Sequence, residues 1–248
     1  KSNFEGSFPR LMRSDGVSST RVEGRPAEDF GAPNSANDVH PGNGFIDDCY
    51  GYNHADQSGT ALMGSSDHGT HCAGTVAADS NNGVGVAGVA GGDGSANSGV
   101  KLMTSVGFGQ VFTRGFAEAL IYGADMNASV SSISWRYTSA GAYSESVRQA
   151  IQYATDAGTI VVFAAGNDQS DEDWYPAYDP NTVAVAALDN AGVVAGFSNY
   201  GDWIDIAAPG VSVLSTVAGG YGYMSGTSMA CPHVAGVLAL GVFAVSSR

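Results

Sequence analysis

The chain has 248 residues, of which 44% are hydrophobic and 14% charged, so it can bury a sizeable core and is not a disordered protein. Its formal net charge of −14, from 24 acidic and 10 basic residues, argues against binding to nucleic acid or to anionic membranes. The three cysteines allow at most one disulfide, and their spacing excludes a C-x-x-C zinc or redox pair. We expect a single domain over residues 1–248, with no nucleic-acid or membrane partner.

The first forty residues carry no recognisable strand. Ser, Gly, Arg and Asp are scattered there without a period, and no run of strong strand formers occurs before Phe45. The first clear element is a helix predicted over residues 68–78, which Asp67 or Ser66 would cap.

From residue 100 onward, buried-strand patterns alternate with helical ones. Short apolar or β-branched runs bounded by Gly, Asn or Asp predict strands, and a spacing near 3.6 predicts helices between them. The predicted strands cover residues 100–106, 159–165 and 183–187, and the predicted helices cover 115–124 and 144–157, the second closed by Gly158. This order of elements predicts crossover connections and a mostly parallel sheet in an α/β fold.

The last element is an apolar helix that Ser228 opens. Its most apolar part, residues 234–245, is about a dozen residues long and shorter than the roughly 20 that span a bilayer. We therefore predict a buried helix of a globular core.

Three polar residues are candidates for nucleophilic catalysis. A serine hydroxyl needs an imidazole to take its proton and hydrogen-bond donors to hold the oxyanion that forms. Ser228 follows small residues that permit a tight turn, and a helix start directs free N–H groups toward an anion. His68 begins the first predicted helix, and Asn167 follows a strand at the carboxyl edge where parallel sheets place their sites.

Two longer segments carry a family resemblance. The sequences SDHGTHCAGT at residues 66–75 and MSGTSMACPHVAG at 224–236 are similar to the histidine and serine segments of the subtilisin-like serine proteases, or subtilases. The similarity extends over about residues 42–245. It implies a three-layer α/β fold, with a mostly parallel central sheet flanked by helices, and a secreted serine endopeptidase that hydrolyses polypeptide substrates through an acyl-enzyme.

The same resemblance implies the roles of individual residues. Ser228 would be the nucleophile, His68 the general base and then acid, and Asn167 an oxyanion donor. The substrate-binding segments would contain Ser134, Trp135, Arg136 and Gly166. His71 and His233 are predicted to be structural, and Cys72 and Cys231 to fill the core.

The family's aspartate is not visible in its usual V-x-D-T/S-G segment. The nearest match is residues 11–17, where Ser14 takes the place of the aspartate and Asp15 falls one position late. A slip of one residue turns a strand side chain to the other face, so Asp15 either serves through a bulge or belongs to an ordinary Asp-Gly turn. Weaker candidates are Asp29, Asp47 and Asp48, the last two better interpreted as surface residues or cation ligands.

Other departures leave a second hypothesis open. Residues 134–137, with the sequence SWRY, put bulky side chains where the family usually has glycines after the serine. Either Arg136 blocks or re-shapes the cleft, or the loop bows outward. Residues 1–41 match the family poorly, and the chain ends about where the serine helix ends, without the family's terminal helices. The alternative is a catalytically impaired homologue, a pseudoprotease that binds peptides or a partner protein, or a fold that a separate segment or pro-segment completes.

A structural calcium ion is the cofactor that the resemblance implies. Residues 81–86, with the sequence NNGVGV, resemble the family's calcium loop. Its oxygen ligands would come from Asn82, Val84 and Val86, which offer an amide oxygen and backbone carbonyls.

Overall fold

Runs of β-branched and small apolar residues form a central sheet that apolar helices cover. The computed structural model describes residues 18–21, 45, 48, 50–59, 67–95, 98–108 and 115–246. The strands in these ranges are β1 (Ser18–Arg21), β2 (Gly51–Asn53), β3 (Lys101–Val106), β4 (Val130–Ile133), β5 (Ile160–Ala164), β6 (Thr182–Leu188), β7 (Ile206–Pro209), β8 (Val213–Val217) and β9 (Gly220–Met224). The helices are α1 (His68–Ala77), α2 (Phe116–Asp125), α3 (Glu145–Asp156) and α4 (Thr227–Ser246).

The main sheet has seven strands in the order β2-β3-β1-β4-β5-β6-β7. Neighbours pair in parallel, as in Val130 opposite Ile160, except that β1 runs antiparallel to both β3 and β4. Strands β8 and β9 form a separate antiparallel hairpin. Because β4 and β5 are parallel neighbours, the segments that follow them emerge side by side at the carboxyl edge of the sheet.

Hydrophobic clusters lie on both faces of the sheet. Val161 and Phe163 of β5 pack into a cluster with residues of α2 and α3. Val162 and Ala164, which alternate with them along the strand, pack into a second cluster with residues of α1 and α4. A strand buried on both faces has helices above and below it, so the predicted three-layer α/β fold is confirmed.

Most predicted elements are confirmed to within one residue at each end. The three predicted strands are β3, β5 and β6, and the helices predicted upstream of the last one are α1, α2 and α3, with Gly158 in a left-handed conformation just beyond α3. The first forty residues, where the sequence carries no recognisable strand, contain β1, which occupies the sequence SSTR in the middle of the sheet. Its backbone pairs on both sides, which a search for apolar side chains does not detect.

Helix α4 is longer than its most apolar part. The stretch Thr227–Val245 is long and apolar enough to cross a membrane by length and composition, which is weak evidence because core helices of soluble proteins pass the same test. About 44% of the most apolar 18-residue window in this stretch is buried in the protein. Val234, Ala235 and Ala239 lie in the cluster of α1 and α4 residues on one face of the sheet.

Two helical glycines should respond oppositely to a methyl group. A Cβ at Gly74 of α1 would lie 2.1 Å from Thr216 Oγ1 and 2.7 Å from Ser215 Oγ of the hairpin, whereas a Cβ at Gly241 of α4 would meet nothing within 4 Å. We expect Gly74→Ala to lower the free energy of unfolding by about 1–3 kcal/mol through overpacking. Gly241→Ala should raise it by about 0.5–1 kcal/mol through helix propensity. Urea denaturation measures both; equal stability of the Gly74→Ala variant would contradict the packing described.

Candidate active site

His68 is the first residue of α1, and the helix start is tied to the β8–β9 hairpin. Asp67 occupies the cap position, but its side chain caps no helix N–H; its Oδ1 accepts a hydrogen bond from the backbone N–H of Ala218 at 2.8 Å. The predicted capping role of Asp67 is therefore wrong. Thr216 Oγ1 donates to the carbonyl of Thr70 at 2.9 Å, which fixes the first turn of α1 from the same hairpin. The half-buried His68 is thus held on an anchored turn.

Ser228 is the second residue of α4, and a proline sets its surroundings. Pro232 has no N–H, so the carbonyl of Ser228 four residues earlier has no helical donor. That carbonyl instead accepts from Ser134 Oγ at 3.0 Å and from Cys72 Sγ at 3.3 Å. The half-buried Ser228 Oγ donates in turn to the carbonyl of Ser134 at 3.4 Å. These contacts join the serine to the segment after β4 and to α1.

Asn167 follows β5, and Thr227 fixes the direction of its amide. Asn167 Oδ1 accepts from the backbone N–H of Thr227 at 2.8 Å and from Thr227 Oγ1 at 3.0 Å. Thr227 Oγ1 also accepts from the N–H of Gly166 at 3.0 Å. With its oxygen held by two donors, the exposed Asn167 keeps its NH₂ group available for an acceptor beside the start of α4.

Thr227 is a residue that the sequence interpretation missed. The side chain is fully buried and contacts both Gly166 and Asn167, the two predicted site residues that follow β5. Its position immediately before Ser228 was the available signal. Because it touches Asn167 rather than the reacting atoms, we classify it as a positioning residue.

The residues predicted to bind substrate lie in different environments. Ser134 contacts Ser228, and Gly166 lies between β5 and Asn167 with a φ of 109° that side chains rarely adopt. Trp135 is only 7% exposed and stacks on Phe116, with ring centroids 4.1 Å apart. Its bulky side chain therefore belongs to the core and does not enter the cleft.

Arg136, in contrast, is half-buried and lies between Asp168 and Trp174. Its guanidinium is 2.7 Å from Asp168 Oδ2 and lies over the ring of Trp174, 4.4 Å from the ring centroid. A Cβ at Gly166 would come within 2.9 Å of Arg136 Cδ. The arginine therefore covers the strand end that leads to Asn167.

The remaining histidines of the two motifs have structural environments. His71 is fully buried, and its Nε2 donates to the carbonyls of Val213 and Gly222 at 2.9 and 3.1 Å. His233 Nδ1 donates to the carbonyl of Met229 at 2.8 Å. Burial lowers the pKa of both imidazoles below the usual range, which favours their neutral forms. These contacts fit the structural roles predicted for both.

The cysteines of the two motifs are buried. Burial raises the pKa of the Cys231 thiol to about 11, so this group stays protonated at neutral pH. Cys231 packs in the cluster under the sheet, and Cys72 is engaged with the carbonyl of Ser228. Both environments agree with core filling and give no support to a cysteine nucleophile.

Of the candidate carboxylates, only Asp48 lies within the residues that the structure describes. Asp15, Asp29 and Asp47 lie outside the described ranges, as do Ser14, Cys49 and Ser66. Asp48 is described: it is 3% exposed and accepts a hydrogen bond from the hydroxyl of Tyr122 at 3.0 Å. The interpretation of Asp48 as a surface residue is therefore wrong.

The predicted calcium loop is exposed, and it has few oxygen atoms free to bind a cation. Asn82 Oδ1 accepts from the backbone N–H of Val84 at 2.9 Å, which leaves one lone pair for a cation. Among the residues that the structure describes, no group of three or more His, Cys, Asp or Glu is placed to hold a metal ion. These residues alone do not fit a tight site, since carboxylates are the usual strong ligands of calcium.

Comparison with known proteins identifies the family. The model of the subtilase family matches residues 32–244 of this chain. The chain belongs to the subtilase family. A thermophilic serine proteinase of Bacillus sp. (strain AK1) is 39% identical over 208 residues, 79% of this chain and 50% of that protein.

Two further proteins extend the comparison. An extracellular protease of Xanthomonas campestris pv. campestris is 41% identical over 200 residues, 74% of this subtilase and 34% of that protein. A solved protease structure from Pseudoalteromonas arctica PAMC 21717 superposes with a TM-score of 0.66 at 33% identity, over 77% of this subtilase and 70% of that chain. The chain thus spans half or less of the length of these two curated relatives.

Proposed function

We propose that this subtilase is a serine endopeptidase in which Ser228 is the nucleophile, His68 the general base and Asn167 an oxyanion donor. The observation that carries the proposal is the set of hydrogen bonds from Thr227, which turns the Asn167 amide toward the start of α4. The names of the curated relatives support it, since they are proteinases. Polypeptide substrates follow from the same reaction class.

The chemistry follows from the properties of the three groups. Ser228 Oγ attacks the carbonyl carbon of a peptide bond while His68 takes the hydroxyl proton. The negative charge on the carbonyl oxygen is stabilised by the N–H of Ser228, at the start of α4, and by Asn167 Nδ2. His68 then gives its proton to the leaving amine, and water hydrolyses the acyl-enzyme by the reverse sequence of transfers.

The alternative hypothesis of a peptide-binding pseudoprotease is not favoured. A protein that only binds peptides has no need to keep a nucleophile, an imidazole and an oriented amide together. This chain has Ser228, His68 and Asn167, and Asn167 lies beside the start of α4.

Covalent labelling tests the nucleophile. We expect a fluorophosphonate probe to label the folded protein rapidly at Ser228, because the probe's phosphoryl group accepts the same attack as a peptide carbonyl. Ser228→Ala should abolish labelling, whereas Ser225→Ala, a serine three residues earlier whose Oγ accepts from the backbone N–H of Ser212, should retain it. A folded wild-type protein that does not label would contradict the proposal.

Thr227→Val should separate positioning from substrate binding. Valine keeps the shape but removes the hydroxyl that holds Asn167 Oδ1 and the Gly166 N–H. Removal of an oxyanion donor in subtilisin, a member of this family, costs about 10²- to 10³-fold in kcat. We expect a smaller loss, about 10- to 100-fold in kcat with KM nearly unchanged, and rescue by Thr227→Ser. Equal losses in the valine and serine variants would show that the hydroxyl does not position the amide.

We further propose that Asp15 supplies the carboxylate that orients His68. Because β1 is antiparallel to β4, with Ser18 opposite Ser132, its amino end lies at the same edge of the sheet as Ser134. Asp15 precedes Ser18 by three residues in sequence and lies outside the described residues. The direction of β1 is what supports Asp15 over the other carboxylates.

Replacing Asp15 with Asn tests this assignment. Loss of the family aspartate in subtilisin lowers kcat by about 3 × 10⁴ while activity above that of water survives. We expect Asp15→Asn to lower kcat by about 10³-fold or more while the free energy of unfolding stays unchanged. The control variant Asp29→Asn should have little effect on kcat. Activity assays with a peptide substrate measure both; a loss below 10-fold for Asp15→Asn would assign the role to another group.

Three further features belong to the same proposal. We infer that the protein is secreted, supported by the curated relative named an extracellular protease, and that residues 1–248 form one domain. A weak structural calcium site at Asn82, Val84 and Val86 would use the free lone pair of Asn82 and two backbone carbonyls, together with a carboxylate from elsewhere. A pro-segment or other separate segment would complete the fold.

A further inference from the structure

The side chain of Arg136 occupies the space beside Gly166. A Cβ placed on Gly166 would lie 2.9 Å from Arg136 Cδ and 3.2 Å from Arg136 Nε, distances shorter than ordinary van der Waals contact. Asn199 Nδ2 would lie nearer still, at 2.5 Å, so the aliphatic part of the arginine and the Asn199 amide together fill the position that a side chain of residue 166 would take. Gly166 directly precedes Asn167, so this filled space adjoins the proposed oxyanion donor.

Three interactions hold the arginine in this place. Its Nη2 lies 2.7 and 2.8 Å from the two carboxylate oxygens of Asp168, and its Nη1 donates to the carbonyl of Tyr137 at 2.7 Å. The guanidinium also lies over Trp174, whose ring is buried and cannot move aside easily. A planar guanidinium bonded on two edges and stacked on a ring is pre-organised, and its charge is matched by Asp168.

The geometry of a bound peptide brings one substrate side chain to this space. For attack, the peptide carbonyl carbon must approach Ser228 Oγ while its oxygen points to Asn167. The α-carbon of the residue before the scissile bond is attached directly to that carbonyl carbon. The carbonyl of Ser134 accepts from Ser228 Oγ, and Asn167 accepts from the N–H of Thr227 beside Ser228. Because these two residues follow the parallel neighbours β4 and β5, we place this α-carbon between them. The side chain of that residue must therefore pass between the segments that contain Arg136 and Gly166.

We propose that Arg136 is a specificity-determining residue that, with Asp168 and Trp174, closes this space to large side chains. The inference rests on the proposed endopeptidase function. The residue before the scissile bond is then small and uncharged, as in alanine, serine or glycine. An acidic side chain gains nothing from Arg136, because the guanidinium is already paired and stacked.

The test compares peptide substrates that differ only in the residue before the scissile bond. The wild-type protein should cleave the alanine peptide with a kcat/KM at least about 10-fold above that of the phenylalanine peptide. Arg136→Ala should raise the ratio of kcat/KM for phenylalanine to that for alanine by about 10- to 200-fold, the range that pocket size controls. The matched control is Arg148→Ala, which removes an exposed arginine paired with Glu145 on α3 and should leave the ratio unchanged.

A lysine peptide tests the second part of the arrangement. Removal of Arg136 leaves Asp168 without its cation, so Arg136→Ala should also gain activity toward lysine. Arg136→Ala combined with Asp168→Asn should lose the gain for lysine and keep the gain for phenylalanine. Wild-type cleavage of phenylalanine as fast as of alanine, or an unchanged ratio in Arg136→Ala, would overturn the inference.

Peptide binding to Ser228→Ala keeps this inference separate from the function. Fluorescence anisotropy of labelled peptides on Ser228→Ala, with and without Arg136→Ala, reports the size restriction without any bond cleavage. We expect the phenylalanine peptide to bind at least 10-fold more tightly when Arg136 is removed. Failure of the fluorophosphonate to label the wild type would refute the endopeptidase proposal, whereas equal peptide binding by the two variants would refute the role of Arg136.

Discussion

Thr227 joins the end of β5 to the start of α4 through three hydrogen bonds, and the arrangement of the site depends on them. One bond satisfies the N–H of Gly166, and two hold the oxygen of Asn167. A buried donor or acceptor left unpaired costs about 1–3 kcal/mol, so the network resists local rearrangement. The same bonds determine which end of the amide is available to an oxyanion beside Ser228.

The surrounding fold supplies what this network needs. Parallel pairing of β4 with β5 brings Ser134 and Asn167 to one edge of the sheet. Pro232 deprives the Ser228 carbonyl of its helical partner, which lets Ser134 and Cys72 bind it instead. Ser228 is thus held by side chains from two other parts of the chain, the segment after β4 and helix α1.

Sequence patterns predicted those parts of the protein that depend on apolar side chains. Strand β5 and helix α3 were predicted to within one residue, because burial on two faces or on one stripe leaves a clear pattern. Strand β1 was missed because its sequence, SSTR, is polar and carries no apolar pattern, although the strand pairs on both sides. Strand β4 was missed for a related reason: Ser131 and Ser132 are buried in it and interrupt the apolar run.

The site was predictable in its residue types and not in its contacts. Motifs singled out Ser228, His68 and Asn167, but the side-chain direction of Trp135 depends on tertiary packing, and so does the pairing of Arg136 with Asp168 across 32 positions. These distances in sequence carry no periodic signal. The contribution of Thr227 likewise depends on a β5–α4 contact that only the folded chain creates.

A crystal structure of the protein with a peptide boronic acid bound to Ser228 tests the central claim most directly. The tetrahedral adduct places a negatively charged oxygen where the peptide oxyanion forms. We predict that this oxygen lies about 2.7–3.1 Å from both Asn167 Nδ2 and the Ser228 N–H nitrogen, with Thr227 still bonded to Asn167 Oδ1. An adduct in which Asn167 Nδ2 points away from that oxygen, or in which Thr227 has released the amide, would contradict the account.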